Sequence, residues 1–248
     1  MKEKDTMIFG VWPVIEALNN GKEFDKIMVQ KGLNIENQKE LREAINKRNV
    51  LVQYVPKEKL NKITRKAHQG VIAFISLIEY QKIEDLIPFW FEKGKIPLIV
   101  MLDRITDVRN FGAIVRSLEC AGVDAVIIPE KGSASINGDT VKTSAGAIFN
   151  LPVCKEHNLK NAIKFIKNSG FNVMACTEKG TKNYFEATYT EPTLLIMGSE
   201  EDGISDEYLK LADEVVKIPM YGETASLNVS VATALVVFEA VKQRNLAN

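Results

Sequence analysis

The sequence predicts an α/β protein in two parts, a small mixed unit at the front and a larger domain built on a parallel sheet. Three observations carry this. From residue 97 onward, short runs that are almost wholly apolar alternate with longer segments of helical spacing, the pattern of strands buried on both faces. The first 75 residues alternate as well, in shorter and more polar segments. Between the two, residues 77–97 break the pattern with Pro88, Gly94 and Pro97.

In the front unit, residues 11–19 read as a helix, 26–30 as a strand, and 38–48 as a helix with Leu41, Ala44 and Ile45 at helical spacing. Residues 50–55 follow as a strand, 57–65 as a polar helix and 70–76 as a strand rich in β-branched residues. Residues 77–96 read as a linker with a short helix around Leu86 to Phe91; its three adjacent aromatics are expected to pack on one of the domains. The large domain, 97–248, has expected strands at 98–102, 125–128, 172–176, 193–197 and 214–218. Its expected helices lie at 111–121, 159–169, 206–212 and 227–244.

Composition excludes several classes. Of the 248 residues, 46% are hydrophobic and 26% charged, ordinary for a globular protein and unlike a disordered chain. No apolar run approaches the roughly 20 residues of a membrane helix, and the first residues lead into no secretory segment. Cys120, Cys154 and Cys176 are odd in number and widely spaced, and His68 and His157 lie near none of them. Reduced thiols, a cytoplasmic setting and no metal site are therefore expected. Lys+Arg and Asp+Glu are equal at 32 each, but residues 1–80 hold 14 cations against 10 anions. Much of that excess lies between Pro56 and His68, with five cations and one anion. Such a patch can follow a phosphate backbone; it can also be a solvated helix face.

Ligands of parallel sheets sit in the loops at the carboxyl ends of strands. The familiar phosphate motifs fail there. Gly198 to Ser205 has P-loop glycine spacing, but Ile204 stands where the lysine must be. No dinucleotide glycine fingerprint or nucleophile elbow follows a strand. Three loops are nonetheless rich in polar and glycine residues. After Leu102, Asn110 stands where a helix N-cap belongs, Gly112 keeps the first turn free of bulk and Arg116 follows inside the helix. A lone helical arginine is most simply a surface residue or an ion pair, here with Glu119 or Asp124. After Met197, the glycines around Glu200 permit close backbone approach, or merely a turn. After Ile218, Ser226, Asn228 and Ser230 open an otherwise apolar helix, more polar groups than a cap needs.

Taken together, Asn110-Phe-Gly-Ala-Ile-Val-Arg116, Gly198-Ser-Glu-Glu-Asp-Gly203 and the run from Ile218 through Ser226-Leu-Asn228-Val-Ser-Val to Ala232 resemble the three ordered motifs of the SpoU family, also called TrmH, of RNA ribose 2′-O-methyltransferases. Phe9 to Leu18 and His68-Gln-Gly-Val-Ile-Ala73 are similar to the front domain of the subgroup containing the bacterial 23S rRNA guanosine 2′-O-methyltransferase. The likeness covers nearly the whole chain.

The resemblance implies a SPOUT-type catalytic domain threaded into a trefoil knot, preceded at residues 1–76 by an RNA-binding domain of ribosomal-protein-like fold. Nothing in the periodicity indicates a knot. It implies S-adenosylmethionine as cofactor, contacted by Gly198, Ile218 and Leu227, with the strand-end backbone at Thr177 and Met197. It assigns Arg116 to the reacting hydroxyl, with Asn110 orienting Arg116 or a phosphate and Glu200 holding the arginine or the loop. Ser226 and Asn228 would fix the third loop and touch the ribose-phosphate. The implied partners are RNA, rRNA first, and a second copy of the chain in a homodimer through the knotted domain, with no membrane and no metal. Alternatives are a tRNA guanosine 2′-O-methyltransferase, an inactive RNA-binding ribosome-assembly protein, and a methyltransferase for a small molecule or protein.

Overall fold

The computed structural model describes residues 6–33, 35–48, 50 and 52–247. The chain forms two compact units, the first of residues 1–79 with 136–138, the second of 80–135 with 139–248. Leu51, inside the strand expected at 50–55, and Met1 to Asp5 lie outside the described residues.

The first unit runs β1 (Met7–Phe9), α1 (Val11–Asn19), β2 (Phe24–Gln30), α2 (Ile35–Arg48), β3 (Val52–Val55), α3 (Lys57–Ile63) and β4 (Val71–Ile75). Its sheet has the order β1-β4-β2-β3, parallel only between β2 and β3. Alternation sends Ile27, Val29, Val71 and Ala73 to one face, where α1 and α2 cover them with Val14, Leu18 and Leu41. Met28, Ile72 and Phe74 face the other way, under Leu60 of α3. Strand β1 was not legible in the sequence. Three residues are too few for a period, and its pairing of Phe9 with Ile72 is entirely non-local.

The second unit begins with α4 (Ile83–Glu92), which continues through Pro88. Ile83, Ile87 and Trp90 recur at helical spacing and pack into the main core, which offsets the lost backbone bond. Of the three aromatics only Trp90 is buried. Phe89 and Phe91 stay largely exposed, Phe89 beneath Lys93 and Phe91 beside the Phe171 ring, contrary to the expectation that all three would leave water.

There follow β5 (Leu98–Leu102), α5 (Val108–Cys120), β6 (Ala125–Pro129), α6 (Gly138–Thr143), β7 (Val153–Glu156), α7 (Leu159–Asn168), β8 (Asn172–Cys176), β9 (Lys182–Asn183), β10 (Thr193–Met197), α8 (Asp206–Leu209), β11 (Glu214–Lys217) and α9 (Val229–Ala247). The seven strands lie in the order β7-β6-β5-β10-β8-β11-β9, every pairing parallel, as the apolar runs predict. The order is not a simple winding, because β10 enters between β5 and β8, both earlier in the chain. The end of α9 is tied down by Arg244, whose guanidinium donates to the carbonyls of Tyr189, Glu191, Ile96 and Pro97. Among the described residues, no helix is long and apolar enough to cross a membrane.

Candidate functional site

Strands β5, β10, β8 and β11 are neighbours and parallel, so the loops after Leu102, Met197, Cys176 and Lys217 all leave the same edge of the sheet. Sheet topology thereby gathers segments more than 100 residues apart in sequence. The ladder extends into the loops: Asp103 N donates to Met197 O at 2.8 Å, and Thr177 N to Val216 O at 2.9 Å.

Three motif residues meet there. The Asn228 side-chain amide donates to Asn110 Oδ1 at 3.0 Å and to Glu200 Oε1 at 2.6 Å, while the same Glu200 oxygen accepts Val229 N at 3.2 Å. Asn228 Oδ1 in turn accepts Ser230 N at 3.0 Å and the Ser230 hydroxyl. Asn228 thus caps α9, and the Glu200 carboxylate sits at that helix's N-terminus, where negative charge is favoured. The sequence expectation that Asn110 is the cap of α5 is corrected. Asp107 fills that place, its carboxylate accepting Arg109 N and Asn110 N, which leaves the Asn110 side chain free to reach Asn228.

Arg116 lies on the exposed face of α5. At about 100° per residue it points roughly 120° away from Asn110, and among the described residues no hydrogen bond or ion pair holds it. The expected ion-pair partners are occupied elsewhere. Glu119 accepts from the Asn150 amide, and Asp124 from Lys95 and Leu98 N. Glu200 engages Asn228 and Val229, not Arg116.

Beside this cluster is a cavity of about 830 Å³, within the rough 300–1,000 Å³ range of small-molecule sites. Thr177, Met197, Gly198, Ile218 and Leu227 line it, as do Glu200 and Ser226; Asn110, Arg116 and Asn228 do not. Cys176 also lines it, and burial, aided by the Glu178 charge, pushes its thiol up to about 12. At neutral pH it is a neutral thiol, not a competing nucleophile.

The second loop is more tightly built than its glycines suggested. Ser199 and Gly203 exchange backbone hydrogen bonds at 3.2 and 3.0 Å, and Gly203 has φ +64°. A Cβ on Gly198 would lie 2.2 Å from Gly203 C and 2.4 Å from Ile204 N. This glycine is required by the loop's own backbone and not by space for a ligand. Gly112 is similar, since a Cβ there would meet Thr143.

Sequence reasoning missed what anchors this loop. Asp103 is 2% exposed, and its carboxylate accepts Ser205 N at 2.8 Å, the Ser205 hydroxyl at 2.7 Å and Arg104 Nε at 3.1 Å. Arg104, held at φ +59°, also donates to Asp202 and to Gly203 O. Asp103 raises the Arg104 pKa, chiefly through their hydrogen bond. The available signal was a carboxylate directly after a fully apolar strand, a position where a charge needs dedicated partners. Among the described residues, no group of three His, Cys, Asp or Glu could hold a metal ion.

Two sequence families match the chain. The SpoU rRNA methylase family matches residues 97–238, and a family described as RNA 2′-O ribose methyltransferase substrate binding matches residues 7–81. A Staphylococcus saprophyticus protein assigned to the TrmH family of tRNA/rRNA methyltransferases is 32% identical over 242 residues, 98% of this chain and 97% of its own. The AdoMet-bound rRNA methyltransferase from Sinorhizobium meliloti superposes with TM-score 0.62 at 26% identity, covering 96% of this chain and 87% of that one. The TrmH/SpoU tRNA modifying enzyme of A. aeolicus superposes with TM-score 0.57 at 34% identity, covering 66% and 85%.

Proposed function

The chain belongs to the SpoU rRNA methylase family, and from that premise we propose that it methylates a guanosine ribose in 23S rRNA. It is an RNA ribose 2′-O-methyltransferase of the knotted SPOUT type, and its methyl donor is S-adenosylmethionine. The observation that carries the reading is the hydrogen-bonded meeting of Asn110, Glu200 and Asn228, one from each motif loop, beside a cavity lined by the second and third of those loops.

The cavity fits the cofactor's chemistry. Met197, Ile218 and Leu227 offer an apolar slot for a flat base, and the strand-end backbone at Thr177 and Gly198 offers directed donors and acceptors. In this reading these five residues hold the cofactor, which supplies an activated methyl group when bound. Arg116 orients the ribose hydroxyl and stabilises the charge that develops on its oxygen as the proton leaves. A guanidinium offers only donors and keeps its proton, so it suits that role better than a general base. Asn110 and Glu200 hold Asn228 at the head of α9, and Ser226 contacts the ribose-phosphate.

Support for rRNA over tRNA comes from the front unit. The match to the S. meliloti rRNA enzyme spans 96% of this chain, whereas the A. aeolicus tRNA enzyme leaves a third of this chain unmatched. The substrate-binding family covers the front unit, where the cations of residues 57–66 concentrate. Mapping 2′-O-methylated riboses in rRNA and tRNA from a strain lacking this protein tests the target. Loss of one guanosine methylation from 23S rRNA is expected. Loss from tRNA alone would replace the rRNA assignment, and no loss from either RNA would sink the reading. The proposed site of action is the cytoplasm.

The proposal includes a homodimer through α9. Val231, Leu235 and Phe238 follow one another at spacings of four and three and stand 39–48% exposed, an apolar stripe that a monomer leaves in water. Phe238→Glu is expected to shift the protein from dimer to monomer in sedimentation velocity. A monomeric wild type would remove the interface.

A further inference from the structure

Trp12 is the second residue of α1 and is 58% exposed, unusual for the largest apolar side chain. Its position is closely fixed. His68 is buried, its Nδ1 accepting Gly70 N at 3.0 Å and its Nε2 paired with Asn61 Oδ1 at 2.8 Å. That bonding sets the turn in which Gln69 adopts φ +52°, and Gln69 Oε1 accepts Val11 N at 3.2 Å. Gly10 N donates to Val71 O at 3.0 Å. The start of α1 is therefore pinned from both sides, and Trp12 projects from a rigid base.

Cationic charge lies at the same end of the sheet. Lys66 Nζ stands 5.6 Å from the centre of the Phe9 ring, three residues before Trp12, and Arg65 and Lys66 are both exposed. A flat indole held rigidly in water, with cations at the same end of the sheet, is what a stacked base and its phosphates require. A helical duplex keeps its bases stacked on one another and offers an indole no free face, so the complementary ligand is an unpaired nucleotide.

We propose that Trp12 is a stacking platform for an unpaired base of the substrate RNA, with Lys66 on the adjoining phosphate. The assignment rests on the reading of this protein as an RNA methyltransferase and goes further by naming the RNA feature bound, a loop or bulge instead of a helix. The chain has two tryptophans, and Trp90 is buried in the second unit, so the acrylamide-accessible emission is that of Trp12.

The test uses the full-length protein with two RNA probes of matched length, a hairpin with an unpaired loop and a fully paired duplex. The hairpin should quench the exposed-tryptophan emission and shield it from acrylamide, and the duplex should do neither. Trp12→Ala should weaken hairpin binding about 5- to 150-fold, the range for loss of one base stack, while Trp12→Phe stays within a few-fold of wild type. Lys66→Gln should lower the salt slope of binding by about one. Circular dichroism and thermal melting of the full-length protein should be unchanged in all three variants, which shows that the front unit is folded. Affinity for S-adenosylhomocysteine should also be unchanged, because the cavity lies in the second unit. Hairpin affinity in Trp12→Ala within twofold of wild type, or equal quenching by the duplex, overturns the platform. A wild type that methylates rRNA while Trp12→Ala does so equally well overturns this inference alone. A wild type that transfers no methyl group to any RNA overturns the proposed function instead.

Discussion

Arg116→Lys is expected to slow single-turnover methylation of the rRNA target about 100- to 1000-fold, the usual effect of removing a contact made in the transition state. Arg116→Ala should be at least as slow. The lysine variant is the informative one, because it keeps the charge and loses only the planar fork. Neither change should disturb the fold, since Arg116 is exposed and makes no hydrogen bond or ion pair among the described residues, while α5 is held by Phe111, Ile114, Val115 and Leu118 on its opposite side. Cofactor affinity should be unaltered, because Arg116 does not line the cavity. Near-wild-type rates in both variants would take Arg116 out of the chemistry. Loss of cofactor binding would make it a structural residue.

The second large effect is expected at Gly198. Its missing side chain faces the backbone of Gly203 and Ile204, and peptide atoms cannot swing aside as a side-chain tip can. Overpacking of this kind costs roughly 1–3 kcal/mol, which at the cofactor loop corresponds to about a 5- to 150-fold loss of affinity. The discriminating variant is Gly198→Ala. Were the glycine there only to leave room for the ligand, a single methyl group would be tolerated far better than valine. Because the conflict begins at Cβ, alanine should already fail. Calorimetry with S-adenosylhomocysteine on both variants checks this, and unchanged affinity in Gly198→Ala would show that the loop can relax.

Long elements were legible and convergence was not. The runs at 98–102, 172–176 and 193–197 are buried on both faces, so their composition alone identifies them, and their bounds agree with the structure. β1, β7 and β9 have two to four residues each and owe their existence to partners distant in sequence, which a local pattern cannot register. At the site, Asn110, Glu200 and Asn228 stand out as polar residues in strand-end loops, but their mutual hydrogen bonds depend on β10 lying beside β5. Asn110 also illustrates how a residue type misleads. It is a good cap, and Asp107, three residues earlier, is an equally good one; only the backbone decides between them. The Asp103–Arg104–Ser205 anchor went unread because its partners lie about 100 residues apart.

The late entry of β10 between β5 and β8 bears on how the protein is made. On a ribosome, β5 and β8 both emerge before the strand that joins them, and each then offers a row of unpaired amides and carbonyls. At roughly 5–20 residues per second, the interval between Cys176 and Met197 lasts on the order of 1–4 s. Through that time the nascent chain carries two open, strongly apolar edges at the centre of its future sheet. A message truncated before Thr193 would yield no partial enzyme, only a chain that other nascent chains can pair with and that chaperones or proteases must clear.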